Sequence, residues 1–262
     1  MKEIKDFLKG YGSMVVAFSG GVDSSLLMDL AVESLGRDKV LGLFMNMGFQ
    51  SQEDVFFVWQ EAEARNWPVE EITLPWDQVP DQVLANPKRR CYWCKKMIFS
   101  HLLDVAKKRG YAVVCDGSNV DDLGDYRPGR QALEELGVVS PFLACGWTKT
   151  EIRKEAKKRG LRTWNRASNA CLASRIPYDH GIERKDLDRI QGAESYLRGL
   201  GYEKVRVRTL GSRGRIEVDP SQVCQAQKEL GRLTEALKEF AYQEIEVDPA
   251  GYRQGSLHKE KK

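Results

Sequence analysis

The chain has 262 residues, 42% of them hydrophobic and 30% charged, with a formal net charge of +3. This balance excludes an intrinsically disordered chain and supplies enough apolar material for one large domain or two smaller ones. A net charge this small does not imply a nucleic-acid partner, so any basic effect has to be local.

The opening stretch "MKEIKDFLKGYG" (1–12) is amphipathic and carries acids, which makes it a poor secretory signal. "SMVVAFS" (13–19) reads as a buried strand, followed by a glycine turn and a helical pattern over 24–35. "KVLGLFMN" (39–46) is a second strand, 52–67 a second helix and "VEEITL" (69–74) a third strand. After a proline-punctuated connection, 91–109 has helical periodicity, and "YAVVCDG" (111–117) is a fourth strand. Strands separated by helices predict an α/β domain with a doubly wound, mostly parallel sheet covered on both faces. The apolar runs are strand-sized and far short of a membrane span. A cytoplasmic protein without a membrane partner is expected. In a reducing compartment six cysteines are not a disulfide framework, so metal or redox chemistry gains weight.

Near Tyr178 the pattern changes. A helix over 184–200, alternating strands "KVRVRTL" and "RIEVD" around the turn "GSRG" (211–214), a helix over 220–240 and a strand at 243–247 follow. That order predicts a small α+β domain with an antiparallel sheet, and a division into 1–177 and 178–262. The terminal "HKEKK" reads as a frayed tail.

The most informative motif is "AFSGGVDSS" (17–25), between the first strand and the first helix. Backbone N–H groups and a helix N-terminus there converge on one point, an anion site. Gly20 and Gly21 allow close backbone approach, and Ser19, Ser24 and Ser25 add hydroxyls. The loop lacks the lysine of a Walker A motif and the spacing of G-x-G-x-x-G. A serine-capped glycine turn is the plain alternative, and it suffices for S-G-G alone. The whole S-G-G-x-D-S pattern resembles the pyrophosphate loop (PP-loop) of the ATP pyrophosphatases, the superfamily of GMP, NAD and asparagine synthetases and tRNA thiolases. That resemblance implies cleavage of ATP between its α and β phosphates, with Asp23 helping to hold Mg²⁺. "CDGSNVDD" (115–122) follows the fourth strand, where a doubly wound sheet exposes its ligand-facing loops, and it contributes Gly117. Lys149 opens the helical stretch "TKTEIRKEAKKRGL" (148–161) and is a candidate phosphate contact, against the plain reading of a solvated lysine.

"DYRPGRQALEELGV" (125–138), "NACLASRIPY" (169–178), "AESYLRGLGYEKVRVR" (193–208) and "GYRQGS" (251–256), together with the glycine loop, resemble the LarE family over nearly the whole chain. These are ATP-dependent sulfur transferases that help build the nickel-pincer nucleotide cofactor. The resemblance implies an enzyme that adenylates a carboxylate of pyridinium-3,5-biscarboxylic acid mononucleotide and replaces a carboxylate oxygen with sulfur. It implies that Ser174, Arg175, Arg206, Arg208 and Arg253 bind the substrate's phosphate and carboxylates. Glu194, in the same reading, steers the pyridinium or a neighbouring arginine. Arg206 and Arg208 lie two apart on a strand and share one face, where a solvated sheet surface is the plain reading. A homo-oligomer is also implied.

Family members differ in their sulfur source. Some sacrifice a cysteine in the loop before the Ser-Arg pair; others are proposed to hold a [4Fe-4S] cluster on three cysteines. Cys171 in that loop, with Cys91 and Cys94 in "KRRCYWCKK" (88–96), matches the second pattern. On a helix Cys91 and Cys94 are i,i+3 neighbours, and basic neighbours favour the thiolate that binds iron. Three thiolates leave one iron open to carry sulfide, so sulfide or another sulfur donor is an expected partner. Zinc and redox-active thiols stay open as alternatives. Cys115, inside an apolar strand, reads as core. A cluster-dependent tRNA thiolase and a non-catalytic nucleotide or iron–sulfur sensor are the rival readings. With no appended RNA-binding module, a nucleic-acid partner is not expected.

Overall fold

Three short apolar runs and the amphipathic Val69–Thr73 build the first sheet. The computed structural model describes residues 1–124, 128–166 and 170–253. Asp125, Tyr126 and Arg127 of the "DYRPG" stretch, Asn169, the end of "GYRQGS" and the lysine tail lie outside the described residues. The chain forms two compact units. One comprises Met1–Met47, Gln52–Val83 and Arg89–Asn169; the other comprises Gly48–Ser51, Leu84–Lys88 and the chain from Ala170 onward.

In the first unit the order is α1 (Lys2–Lys9), β1 (Met14–Ala17), α2 (Val22–Leu35), β2 (Val40–Asn46), α3 (Gln52–Ala64), β3 (Val69–Thr73) and α4 (Asp81–Leu84), whose last residue falls in the second unit. Then come α5 (Arg90–Arg109), β4 (Val113–Cys115), α6 (Pro128–Glu135), α7 (Pro141–Ala144) and α8 (Lys149–Lys158). The strands lie in the order β3-β2-β1-β4, every pairing parallel. A bridge from Cys115 to Val139 extends the β4 side. β2 is buried at all but its last position, as both-sided coverage of a parallel sheet requires. Alternation along β1 sends Met14 and Val16 into the core shared with Leu27, Leu30 and Ile152 of α2 and α8. Val15 goes to the opposite core with Phe99 and Leu102 of α5 and Leu133 of α6. The expected α/β architecture with helices on both faces is therefore present. From β1 the chain proceeds outward through β2 and β3, then returns to place β4 on the other flank of β1. The crevice beyond the carboxyl ends of β1 and β4 is the topological switch point, where such sheets bind ligands.

The second unit contains α9 (Arg184–Gly199), β5 (Arg206–Leu210), β6 (Arg213–Glu217), α10 (Val223–Lys228), α11 (Leu230–Leu237) and β7 (Glu244–Val247). Three expectations need correction here. The sheet, ordered β5-β6-β7, is mixed: β5 and β6 are antiparallel, but β7 runs parallel to β6. The intervening helices act as a crossover, which returns the chain in its starting direction, whereas a tight turn would reverse it. The single helix expected over 220–240 is broken between α10 and α11 at Glu229, two residues before Gly231, a poor helix former. The hairpin turn is also shorter than expected, since Leu210 already pairs with Arg213. Left-handed Gly211 (φ 56°) begins this two-residue turn, as tight hairpins require. One face of the sheet buries Val207 and Ile216 against Ala193, Leu197, Leu233 and Leu237. Among the described residues, no helix is long and apolar enough to cross a membrane.

Candidate active site

The loop that leaves β1 is shaped by one left-handed glycine. Gly20 has φ 70°, and a Cβ there would fall 2.6 Å from Cγ2 of Val58 on α3. No L-residue with a side chain fits that position. Gly21 is the N-cap of α2 and makes no side-chain cap, so the first-turn N–H groups are left for a ligand. Ser24 ties the loop down. Its Oγ accepts from the Ser19 N–H at 3.2 Å and donates to the Gly21 carbonyl at 3.1 Å. The Ser25 hydroxyl is fully buried and has no hydrogen-bond partner among the described residues. Four of the predicted loop residues thus form one tightly held turn, while Ser25 faces inward from its base.

β4 delivers the opposite wall. A Cβ on Gly117 would lie 2.9 Å from Asp23 Cβ and 3.1 Å from the Ser24 backbone nitrogen, so this glycine sits directly on the first turn of α2. Just beyond it, Asn119 is buried and donates from Nδ2 to Asp23 Oδ1 at 3.3 Å. Its Oδ1 caps the following turn by accepting from the Asp121 N–H. Asp121 in turn accepts from the Lys149 backbone N–H at 2.5 Å, and Lys149 Nζ forms an ion pair with Asp23. Thr148 and Glu151 make a reciprocal capping box that starts α8 at Lys149. The structure therefore brings Asp23, Gly117 and Lys149 together, and adds Asn119 and Asp121, which the motif reading did not single out. Asp116 accepts hydroxyl hydrogen bonds from Ser118 and Ser140, both at 2.5 Å, and fixes the start of this turn.

Of the sequence-predicted thiols in this unit, Cys91 and Cys94 lie on the first turn of α5, exposed and half-buried respectively. The neighbouring residues do not form an open stacking platform. Tyr92 is buried, its hydroxyl donating to Glu135 at 2.7 Å, and Arg90 is buried too. Trp93 alone of the aromatic pair is substantially exposed. Cys115 lies in the core, as its apolar strand implied, and burial pushes its thiol pKa far up. Among the described residues no three His, Cys, Asp or Glu side chains are gathered as a metal-ion site. Cys91 and Cys94 are i,i+3 neighbours on α5.

In the second unit Arg175 is 1% exposed and makes a two-pronged pair with Glu194, itself 1% exposed, at 2.8 and 2.9 Å. Its third nitrogen, Nη1, donates to the carbonyls of Ala170 and Cys171 and to Ser174 Oγ. Every nitrogen of this guanidinium is thus engaged within the protein, and it fixes the backbone that carries Cys171. Glu194 also accepts from the Val207 N–H, which links the loop to β5. Arg208 is paired two-pronged with Glu217 and donates to the Ser174 carbonyl at 2.6 Å. Arg206 stacks over the Tyr252 ring at 5.3 Å. Burial, and then the nearby Arg175 charge, push its pKa below the usual arginine value. Glu194, already paired with Arg175, pulls it the other way. Arg253 is largely exposed, 3.8 Å from Asp248.

A family profile described as NAD synthase matches residues 2–77, the segment that contains the glycine loop. Over 99% of its length the chain is 34% identical to an uncharacterised protein of Synechocystis sp., covering 97% of that protein. It is 32% identical to the pyridinium-3,5-bisthiocarboxylic acid mononucleotide synthase of Lactiplantibacillus plantarum, over 96% of this chain and 91% of that enzyme. Argininosuccinate synthase of Haloarcula marismortui is 28% identical over 58% of this chain and 38% of its own length.

Two substitutions test these contacts. Gly117→Ala forces Asp23 and the first turn of α2 apart by a fraction of an ångström, so pyrophosphate release from ATP should fall about 100-fold; unchanged turnover would mean the loop tolerates the shift. Glu194→Gln leaves Arg175 charged and buried without a counter-ion, and should cost about 3–5 kcal/mol of stability in urea unfolding of the full chain. A loss under about 1 kcal/mol would show that the pair is not desolvated.

Proposed function

The chain belongs to the LarE family of ATP-dependent sulfurtransferases with a PP-loop, and we propose that its substrate is pyridinium-3,5-biscarboxylic acid mononucleotide, one carboxylate of which it converts to a thiocarboxylate. The observation that carries this reading is the uncapped N-terminus of α2 behind the glycine turn, in a chain aligned over 96% of its length with a synthase of the bisthiocarboxylate.

A carboxylate is a poor electrophile because it has no leaving group. In the proposed reaction a carboxylate oxygen attacks the α phosphorus of ATP, the bond to the β-phosphate oxygen breaks, and pyrophosphate leaves. The resulting acyl adenylate carries AMP as its leaving group. A sulfur nucleophile then adds to the acyl carbon, and the bond from that carbon to the AMP oxygen breaks. The first-turn N–H groups of α2 and the hydroxyls of Ser19 and Ser24 would bind the departing pyrophosphate, with the positive end of the helix dipole favouring its charge. Asp23 would offer a carboxylate oxygen to Mg²⁺, which when bound would neutralise phosphate charge. Its present partner Lys149 would then be released toward the phosphates. On the second unit, Ser174, Arg206, Arg208 and Arg253 are the groups proposed for the substrate's phosphate and carboxylates. Arg175 and Glu194 hold the loop on which Ser174 and Cys171 sit.

For the sulfur source the reading is a [4Fe-4S] cluster on Cys91, Cys94 and Cys171. Their donor chemistry supports it, as does the removal of Cys115 to the core. When bound, such a cluster would supply sulfide at the iron that no cysteine occupies. Further parts of the proposal are a cytoplasmic setting, a sulfide-type donor and a homo-oligomeric state, the last open to light scattering. The rival reading of an RNA thiolase loses support from the burial of Tyr92 and Arg90 in the basic stretch.

Anaerobic purification followed by iron and sulfide assay tests the cluster. About four irons per chain are expected, with loss in each of Cys91→Ala, Cys94→Ala and Cys171→Ala. An iron-free chain that turns over once and loses the mass of one sulfur would overturn the cluster and assign the sulfur to Cys171.

A further inference from the structure

Arg166 follows the short 3-10 turn Arg162–Asn165, in a stretch that no motif explains, yet its guanidinium touches the glycine loop. Nη1 donates to the Gly20 carbonyl at 3.4 Å, and Nη2 pairs with Asp54 Oδ1 at 2.5 Å. The guanidinium carbon stands 4.0 Å from the centre of the Phe57 ring. Asp54 and Phe57 belong to α3, which also supplies the Val58 side chain that closes on Gly20. Positions 54, 57 and 58 are i, i+3 and i+4, so a single face of α3 seats both the loop and this arginine.

We infer that Arg166 is a pyrophosphate-binding residue, the cation on the β,γ side of the nucleotide. This inference rests on the ATP-cleaving reading of the loop. Pyrophosphate leaves with several negative charges, and the loop carries no lysine of its own. Lys149 is matched by Asp23 and Arg166 by Asp54, so each cation beside the loop has one carboxylate partner. The counter-ion of Arg166 is carried by α3, not by the loop. The bond to Gly20 is longer than the usual 2.9–3.0 Å for N–H···O, and a phosphate oxygen is a far stronger acceptor than a carbonyl. Exchanging one for the other therefore gains more than it loses. The Phe57 stack and Asp54 hold the guanidinium plane, which leaves little side-chain freedom to be lost on binding. The strut from α3 to the loop is a by-product of this seating.

A structural strut would affect every ligand of the loop alike; a pyrophosphate ligand would not. Equilibrium binding of inorganic pyrophosphate and, separately, of AMP to the full chain distinguishes them. Arg166→Gln should weaken pyrophosphate about 10- to 100-fold and leave AMP within about threefold, with Arg166→Lys recovering part of the loss. Equal losses for both ligands, or unchanged pyrophosphate binding, would overturn the assignment while leaving the loop's ATP chemistry intact. A wild-type chain that binds neither ligand would overturn the loop reading, and this inference with it.

Discussion

The approach of Gly117 to the first turn of α2 is the constraint from which the rest of the nucleotide end follows. A parallel sheet whose order reverses between β1 and β4 puts two strand ends side by side, but it does not set how closely their loops meet. Omission of one side chain does that. With no Cβ at 117, the chain leaving β4 lies against Asp23 and the Ser24 nitrogen. Asn119 then reaches the Asp23 carboxylate, and Asp121 reaches the backbone of Lys149. On the other side Gly20 makes the same concession to Val58 of α3. The loop is therefore clamped between two elements distant in sequence, each touching it where a glycine leaves room.

Both units use ion pairs for position more than for stability. The Arg175–Glu194 pair is fully desolvated, and such pairs typically contribute little net stability over an apolar equivalent. What it supplies is geometry. A planar, two-pronged pair admits one arrangement, and the remaining nitrogen fixes the carbonyls of Ala170 and Cys171 at the same time. Asp23 and Lys149 differ in being partly exposed. Solvent screens their attraction, so in the proposed reaction their exchange for a metal ion and a phosphate would cost little. The buried pair holds a loop still; the exposed pair keeps a charge available.

Much of this was legible in the sequence, and the reasons for the remainder are physical. Strand runs such as 40–45 carry no polar side chain, which identifies a buried parallel strand without reference to pairing. The loop 19–25 announces itself through its glycines. The direction of β7 was not legible, because an alternating pattern specifies which face is buried but not which way a strand runs. A crossover made of two short helices broken at Glu229 reads from sequence as one helix. Asn119 and Arg166 were hidden for another reason. Each is an ordinary polar residue whose partner lies far along the chain, at Asp23 or at Asp54 and Gly20. The spacing of 54, 57 and 58 carries a faint helical signal, but nothing local connects it to position 166. Arg175 is the converse case. Family resemblance implies a ligand-binding arginine, whereas its burial and full set of internal acceptors make it the anchor of its own loop.

The cysteines sort by environment rather than by motif. Cys115 is sealed in the core beside Asp116, where desolvation and then that neighbouring charge keep the thiol protonated and chemically inert. Cys145 is pushed the same way by its partial burial. Cys115 cannot serve as a thiolate ligand at neutral pH without a large energetic cost. Cys224 is exposed on α10, a helix with no second cysteine. What remains is a pair one turn apart at the start of a long helix, and one thiol on a loop whose carbonyl is fixed by Arg175. A sulfur that must be delivered to an activated carboxylate has to be both reactive and held in place. In the proposed reaction, exposure at Cys91 and an anchored backbone at Cys171 would supply those two properties, which burial denies to Cys115.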